Sequence, residues 1–351
     1  MKILQIIPSL GVGGAETMMC NLSCELVKNG DEVVVVVFAL NDSIIKERLI
    51  NNRIKIISLE KNVGFSPKTI FRIKKIIKEE NPDIIHTHLH VLPYVWLACG
   101  KRKIIHTLHS IAKKEQSGIG KYICGFIYCY SEKCIPVAIS EQVRKSMINE
   151  YNLKRKIPVV CNGVPIENII SKSSYEINNS AHIFHVGRFT KLKNHKMMVD
   201  ALERIKTQEE NVILHFYGTG ELEDEIKEVV RDKGLESAVK FEGVCPNISK
   251  ILINGDIFVL PSEYEGMPMS LIEAMAAGLP CIASEVGGIP DMIENGYNGI
   301  LINSNIDNLV NAVIDLLRNK DKRKQLGMNA RKDAKKYSAH NMVDEYLSIY
   351  K

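Results

Sequence analysis

Residues 256–291, DIFVLPSEYEGMPMSLIEAMAAGLPCIASEVGGIPD, read in succession as strand, loop, helix, strand and glycine turn. IFVL (Ile257 to Leu260) is a short apolar run suited to a strand buried on both faces. Pro261 and Gly266 punctuate the loop, Pro268 sits where a first helical turn tolerates it, and Gly278 with Pro280 stops the helix. CIAS (Cys281 to Ser284) starts the next strand, and Gly287 and Gly288 leave backbone exposed in the turn after it. A helix N-terminus at the carboxyl end of a parallel strand offers N–H groups and a positive dipole end, which suit anions. Two glutamates, Glu265 and Glu273, bracket that start, and carboxylates repel phosphate. They suit the hydroxyls of a sugar and a ribose instead.

Outward from this stretch, the chain alternates strand and helix twice. The first half carries ILQIIPSL, VVVVVFAL, IKIISL, DIIHTHL, KIIHTLH and PVAIS, with helices between them such as 15–28 and 67–79. After the polar stretch SKSSYEINNSA (171–181) the pattern restarts with HIFHVG, VILHFYG, VKFEG, DIFVL, CIAS and GILI. Alternation of this kind predicts an α/β chain of two Rossmann-like, doubly wound parallel sheets facing a central cleft. The expected organisation is a first domain over 1–170, a linker over 171–181, a second domain over 182–335, and a C-terminal helix over 336–351 packing back on the first domain.

The 351 residues suffice for two domains, and 45% hydrophobic with 25% charged residues is a globular balance. No apolar run approaches the roughly 20 residues of a membrane-spanning helix, and MKILQIIPSL reads as a first strand rather than a signal peptide. Nine cysteines without CxxC spacing point to free thiols in a reducing cytoplasm. The net charge of +5 is unevenly placed: through residue 175 there are 25 lysines and arginines against 15 acids, and the remainder is acidic. The basic half suggests an anionic partner. No nucleic-acid recognition motif appears, and an anionic membrane surface fits, with Lys101 to Lys103 and Lys113–Lys114 beside the basic face of the amphipathic segment 66–80. Packing on the sheet accounts for the isoleucines of that segment, Ile70, Ile73, Ile76 and Ile77.

GVGGAE (11–16) follows the first strand and opens a helix. A dinucleotide fingerprint would need a third glycine where Glu16 stands. Gly13 and Gly14 still let a diphosphate or sugar approach backbone N–H groups. His86, His88 and His90 alternate and so share one strand face, where they read as strand-end histidines near a polar cleft rather than a metal site. His109 ends IIHTLHS at the carboxyl end of a strand, where catalytic groups of such sheets gather, and His106 reads as its core-facing neighbour.

Five elements in order resemble a known family: GGAE (13–16), HTLH (106–109), CNGV (161–164), HVGRFTKLKN (185–194) with its G-R-x(4)-K spacing, and E-x(7)-E (265–273). Nearly the whole chain resembles a retaining GT-B glycosyltransferase of family 4, with one departure at Pro165, where many members carry an acid. The resemblance implies transfer of a hexose or N-acetylhexosamine from a nucleotide sugar, UDP favoured, to a lipid-linked or growing glycan in surface polysaccharide synthesis. It implies no metal and no other cofactor, and a cytoplasmic enzyme peripheral on the inner face of the membrane. Arg188 and Lys193 would face the leaving diphosphate, Glu273 the ribose, and Glu265 the donor sugar. Backbone N–H groups of Gly266, Met267 and Met269, together with Gly13 and Gly14, would add to donor binding. His109 would lie near the donor sugar, making the catalytic set His109, Arg188, Lys193 and Glu265. A GT-B sugar-nucleotide epimerase or a non-catalytic nucleotide-sugar-binding subunit are the competing readings.

Overall fold

A computed structural model describes residues 1–61, 64, 66–115 and 118–351. The chain divides into two compact units, Met1–Val164 with Ala339–Lys351, and Pro165–Ser338.

The first unit is a six-stranded parallel sheet built from β1 (Lys2–Ile7), β2 (Glu32–Val37), β3 (Lys55–Ser58), β4 (Ile84–His88), β5 (Ile104–Leu108) and β6 (Cys134–Ala138). Its order is β3-β2-β1-β4-β5-β6, so the winding reverses between β1 and β4. The run Val33 to Val37 is wholly buried, as a strand covered on both faces must be. Helix Pro67–Glu80 buries Ile73, Ile76 and Ile77, which is the packing role expected of its isoleucines.

The second unit repeats the design with β7 (Ala181–Val186), β8 (Val212–Tyr217), β9 (Val239–Gly243), β10 (Ile257–Leu260), β11 (Cys281–Ser284) and β12 (Ile300–Ile302). Its order, β12-β11-β10-β7-β8-β9, places the reversal between β7 and β10. Each unit therefore has the doubly wound parallel architecture that the alternating pattern predicts.

The break between units falls at Val164–Pro165, earlier than the polar stretch 171–181 suggests. That stretch belongs to the second unit. Lys172 Nζ reaches Asp256 Oδ1 at 3.1 Å and the carbonyl of Gly255 at 2.6 Å, and Tyr175 Oη donates to the Gly278 carbonyl at 2.8 Å. One buried ion pair and one buried tyrosine fix a segment whose composition looks like a linker. The second unit then runs on to Ser338, and the last helix spans Ala339–Tyr350.

That last helix closes the first unit against helix Gly14–Lys28 and one face of the sheet. Gln5, His86, His88 and Thr107 lie on this face and are wholly buried. His86 Nδ1 meets Tyr350 Oη at 2.7 Å and His86 Nε2 meets Thr107 Oγ1 at 2.8 Å, while Tyr346 Oη meets the same Thr107 hydroxyl at 2.7 Å. His86 and His88 share a face, as their spacing requires, but that face is interior rather than a cleft wall. His90 leaves the strand altogether, in the turn Leu89–Val91, and is exposed. His106 is core-facing, bonded through Nδ1 to Thr87 Oγ1 at 2.8 Å and stacked on Tyr128.

Burial pushes His86 and His88 far below the ordinary imidazole range, and His106 to about 3. These rings stay neutral in the folded state, whereas in the unfolded chain they take up protons below about pH 6.5. Unfolding then binds protons, so stability is lost as pH falls from the unfolded value towards the folded ones. The loss approaches about 1.4 kcal/mol per histidine per pH unit. Denaturant titrations from about pH 7.5 to about pH 5 should show the midpoint falling steeply below 6.5; a flat midpoint would contradict the buried network.

Candidate functional site

The second unit gathers polar groups at the carboxyl ends of its strands, around the β7/β10 reversal where ligands of such sheets bind. Past β7 the chain turns through Gly187 and Arg188 into the 3₁₀ turn Lys191–Lys193, and Asn194 at φ 56° launches helix His195–Lys206. The loop is pinned by backbone bonds, from Gly187 to the Tyr217 carbonyl at 2.9 Å and from Phe189 to that of Thr219 at 3.1 Å. Beneath it Phe189 stacks on His195 at 4.0 Å between ring centres. Arg188 is exposed at the top of this loop, and Lys193 is half-buried.

Past β10 the loop carries Ser262 and Glu265, and helix Met269–Ala276 begins after Pro268, which occupies the N-cap position. Glu265 thus precedes the helix and Glu273 lies within it. The two need not share a helical face.

Glu265 is 8% exposed. Its Oε1 accepts from Lys193 Nζ at 2.6 Å and from Ser262 Oγ at 2.6 Å. The backbone N–H of Glu263 donates to the Leu192 carbonyl at 2.9 Å, tying the two loops a second time. The turn after β11 completes the enclosure, since Gly288 N–H donates to the Glu265 carbonyl at 3.2 Å. That turn is therefore occupied by Glu265's own backbone rather than left open. Gly287, at φ +61°, is obligatory there: a Cβ would lie 1.6 Å from the Glu265 carbonyl oxygen.

Arg188 and Lys193 thus share the loop after β7, Glu265 stands on the loop after β10, and Glu273 lies inside the helix that follows it. Met267 and Met269 are buried, so their side chains are core and any ligand would meet their backbone; Gly266 is partly exposed. The arrangement holds a carboxylate, an ammonium and a guanidinium at the mouth of one sheet, a set suited to a ligand with both hydroxyls and phosphates. Asp291 is exposed and ends the turn Ile289–Asp291, whose N-cap is Gly288.

In the first unit, Gly13 caps helix Gly14–Lys28 in extended conformation, with no side-chain hydrogen bond to the first turn. A Cβ on Gly14 would meet nothing within 4 Å. Two strands along the sheet, His109 follows β5. Its Nε2 lies 3.0 Å from His88 Nδ1, and His88 Nε2 lies 2.8 Å from Gln5 Oε1. The amide oxygen can only accept, so His88 donates to it from Nε2–H and accepts at Nδ1 the hydrogen bond donated by His109 Nε2–H. Burial lowers the pKa of His109 to about 3. It is a neutral ring at physiological pH, suited to hydrogen bonding and not to carrying a cation.

Ser262, Gly287 and the Gln5–His88 pair were not singled out for these roles by the sequence reading. Gln5 could have been found as a lone amide in the apolar strand KILQII. Among the described residues no three His, Cys, Asp or Glu side chains stand close enough to hold a metal ion. No helix among them is long and apolar enough to cross a membrane.

Two domain models match the chain: Glycosyltransferase Family 4 over residues 12–168 and Glycosyl transferases group 1 over 167–333. The chain is 29% identical over 270 residues to an Escherichia coli UDP-Gal:alpha-D-GlcNAc-diphosphoundecaprenol alpha-1,3-galactosyltransferase, covering 70% of this chain and 69% of that protein. It is 26% identical to a Campylobacter jejuni alpha-1,4-N-acetyl-D-galactosaminyltransferase whose acceptor is a glycan on undecaprenyl diphosphate, covering 99% and 98%. The crystal structure of Anabaena HepE with UDP-glucose superposes with a TM-score of 0.84 at 20% identity, covering 99% of this chain and 98% of that one.

Two glycine substitutions separate packing from ligand access. Gly287→Ala forces the backbone of Glu265 to move and should cost about 1–3 kcal/mol in stability. Gly14→Ala, at an unobstructed helical position, should leave stability level or raise it by up to about 1 kcal/mol. Thermal unfolding of the two variants checks the ranking; equal melting points would refute the packing assigned to Gly287.

Proposed function

Because this chain belongs to the family 4 and group 1 glycosyltransferases, as the two domain models spanning residues 12–333 show, we propose that it is a retaining hexosyl- or N-acetylhexosaminyltransferase. Its donor in this reading is a UDP-sugar, and its acceptor a lipid-linked or growing glycan of a surface polysaccharide. The relatives' names support the acceptor class, since two of them act on undecaprenyl-diphosphate-linked sugars. In this reading the enzyme works at the inner face of the cell membrane.

The observation that carries the reading is the contact of Lys193 with Glu265, made from the same loop that bears Arg188. Glu265 holds hydroxyls of the donor sugar, and Lys193 bridges it to the diphosphate. Arg188 presents a planar fork to phosphate oxygens as negative charge develops on the leaving group. The leaving group's charge is met by these two cations and by backbone N–H groups of Gly266, Met267 and Met269, with no metal or other cofactor. Glu273, one helical turn further in, takes the ribose hydroxyls. Gly13 and Gly14 admit the donor to the backbone of the first unit's glycine loop, and neutral His109 offers a hydrogen bond to a sugar hydroxyl. Retention without a protein nucleophile is consistent with same-face displacement, in which a phosphate oxygen takes the acceptor's proton as its oxygen attacks the anomeric carbon.

Calorimetry with UDP, GDP and ADP, each with and without its common sugars, tests the donor. UDP should bind selectively, and Glu273→Ala should weaken it at least tenfold, about 1.4 kcal/mol. Arg188→Ala should lower kcat by about a hundredfold or more with a much smaller change in UDP affinity. Wild-type turnover in both variants would remove these assignments, and failure to bind any nucleotide would remove the UDP-donor reading.

A further inference from the structure

Helix Gly118–Tyr130, GIGKYICGFIYCY, is apolar on nearly every side and buries only one of its faces. It buries Cys124, Ile127 and Tyr128. On its outer side Ile119 and Tyr122 are 78% exposed, Phe126 55% and Tyr130 75%, with Ile123 exposed between them. At about 100° per residue these five positions fall within roughly 100° of arc, so they form one continuous apolar stripe. Phe126 packs edge-on against Trp96 at 6.3 Å and lies 5.3 Å from Tyr130. Leu97, also exposed, extends the patch onto helix Leu92–Ala98. A contiguous aromatic and aliphatic surface of this kind is unusual on a solvent-facing helix and marks an interaction site.

Basic groups flank both ends. Lys113 and Lys114 are exposed on the short helix Ala112–Glu115 just before the stripe. At the other end Lys133 lies over the Trp96 ring, 4.9 Å from its centre, and donates to the carbonyl of Gly100, the neighbour of Lys101 and Arg102. The acids nearby are Glu115, Glu132 and Glu150: burial pushes the Glu115 carboxyl up to about 8, and Glu150 is held by Lys121. Tyrosine, tryptophan and phenylalanine with flanking lysines make up the composition that seats a helix at a headgroup boundary, the rings at the interface and the cations on anionic lipid.

We infer that the stripe Ile119, Tyr122, Ile123, Phe126 and Tyr130 is the surface by which this enzyme docks on an anionic lipid bilayer, lying in the interface plane without spanning it. The inference rests on the proposed lipid-linked acceptor, and it assigns the membrane contact to this helix rather than to the basic segment 66–80.

The test is sedimentation of the full chain with phosphatidylcholine vesicles containing roughly one third phosphatidylglycerol, set beside UDP calorimetry on the same samples. The wild type should partition to these vesicles, less so as salt rises and less so to vesicles of phosphatidylcholine alone. Ile119→Ser, Tyr122→Ser and Tyr130→Ser together, all at exposed positions, should cut partitioning at least tenfold while UDP binding stays unchanged. Lys113→Glu with Lys114→Glu should remove the preference for anionic lipid. Absence of wild-type partitioning, or an undiminished triple variant, overturns the inference. So does a wild-type dimer that becomes monomeric in the triple variant without lipid binding, which would assign the stripe to a second copy of the chain. Loss of UDP binding with partitioning intact would leave the docking surface standing and remove the donor reading instead.

Discussion

The second unit is organised around the enclosure of one carboxylate. Glu265 is nearly withdrawn from water, and a charge so placed must be met by an opposite charge and by hydrogen bonds. Lys193 supplies the charge from the loop after β7 and Ser262 a hydroxyl from the loop after β10, while Gly288, in the turn after β11, donates its N–H to the backbone carbonyl of Glu265. Three strand ends are thereby held to a common point, and the absence of a Cβ on Gly287 is what lets the third approach. The G-R-x(4)-K and E-x(7)-E elements, distant in sequence, are one physical feature. Removing either partner would leave the other's charge partly buried and unpaired, a larger disturbance than the pair's own modest net contribution to stability.

The first unit solves a different problem. Its central strands carry Gln5, His86, His88 and Thr107 on a face that has no access to water, so each polar atom needs a partner in the protein. The tyrosine hydroxyls of helix Ala339–Tyr350 meet part of that demand, which makes the chain's last helix a structural member of its first unit. The same network, through Gln5 and His88, fixes the ring of His109 at a strand end. Core polarity in the first unit thus reaches out to His109. A change at Gln5 would alter the tautomer and orientation of a ring it does not touch.

The twelve strands among the described residues were all legible, because buried parallel strands are apolar runs and Gly or Pro marks their ends. What stayed hidden depends on contacts between distant segments. Nothing in SKSSYEINNSA reveals that Lys172 will meet Asp256 or that Tyr175 will be buried, so a pinned segment reads as a linker. The spacing of His86 and His88 gave their shared face correctly but not what covers it, which is a helix more than 200 residues away in sequence. In Gly118–Tyr130 the sequence offers apolar residues all round, and periodicity cannot say which stripe packs inward. The pairing of Lys193 with Glu265 was likewise invisible, although both residues stood out singly.

Electrostatics works at two ranges in this chain. The excess of cations in the first 175 residues is spread over an exposed surface, where it acts as a field screened beyond about 8–10 Å at physiological ionic strength. The second half is acidic overall, so affinity for a diphosphate there cannot come from net charge. In the proposed reading it comes from placement: Lys193 is already balanced by Glu265, so an arriving diphosphate adds charge that Arg188 and the backbone of the Gly266–Met269 stretch must answer. A sugar hydroxyl donating to Glu265 would in turn relieve part of that carboxylate's claim on Lys193 and free the ammonium for phosphate. Sugar and diphosphate then reinforce each other's binding through one shared ion pair. A nucleotide without its sugar would meet a site whose lysine is still committed to Glu265.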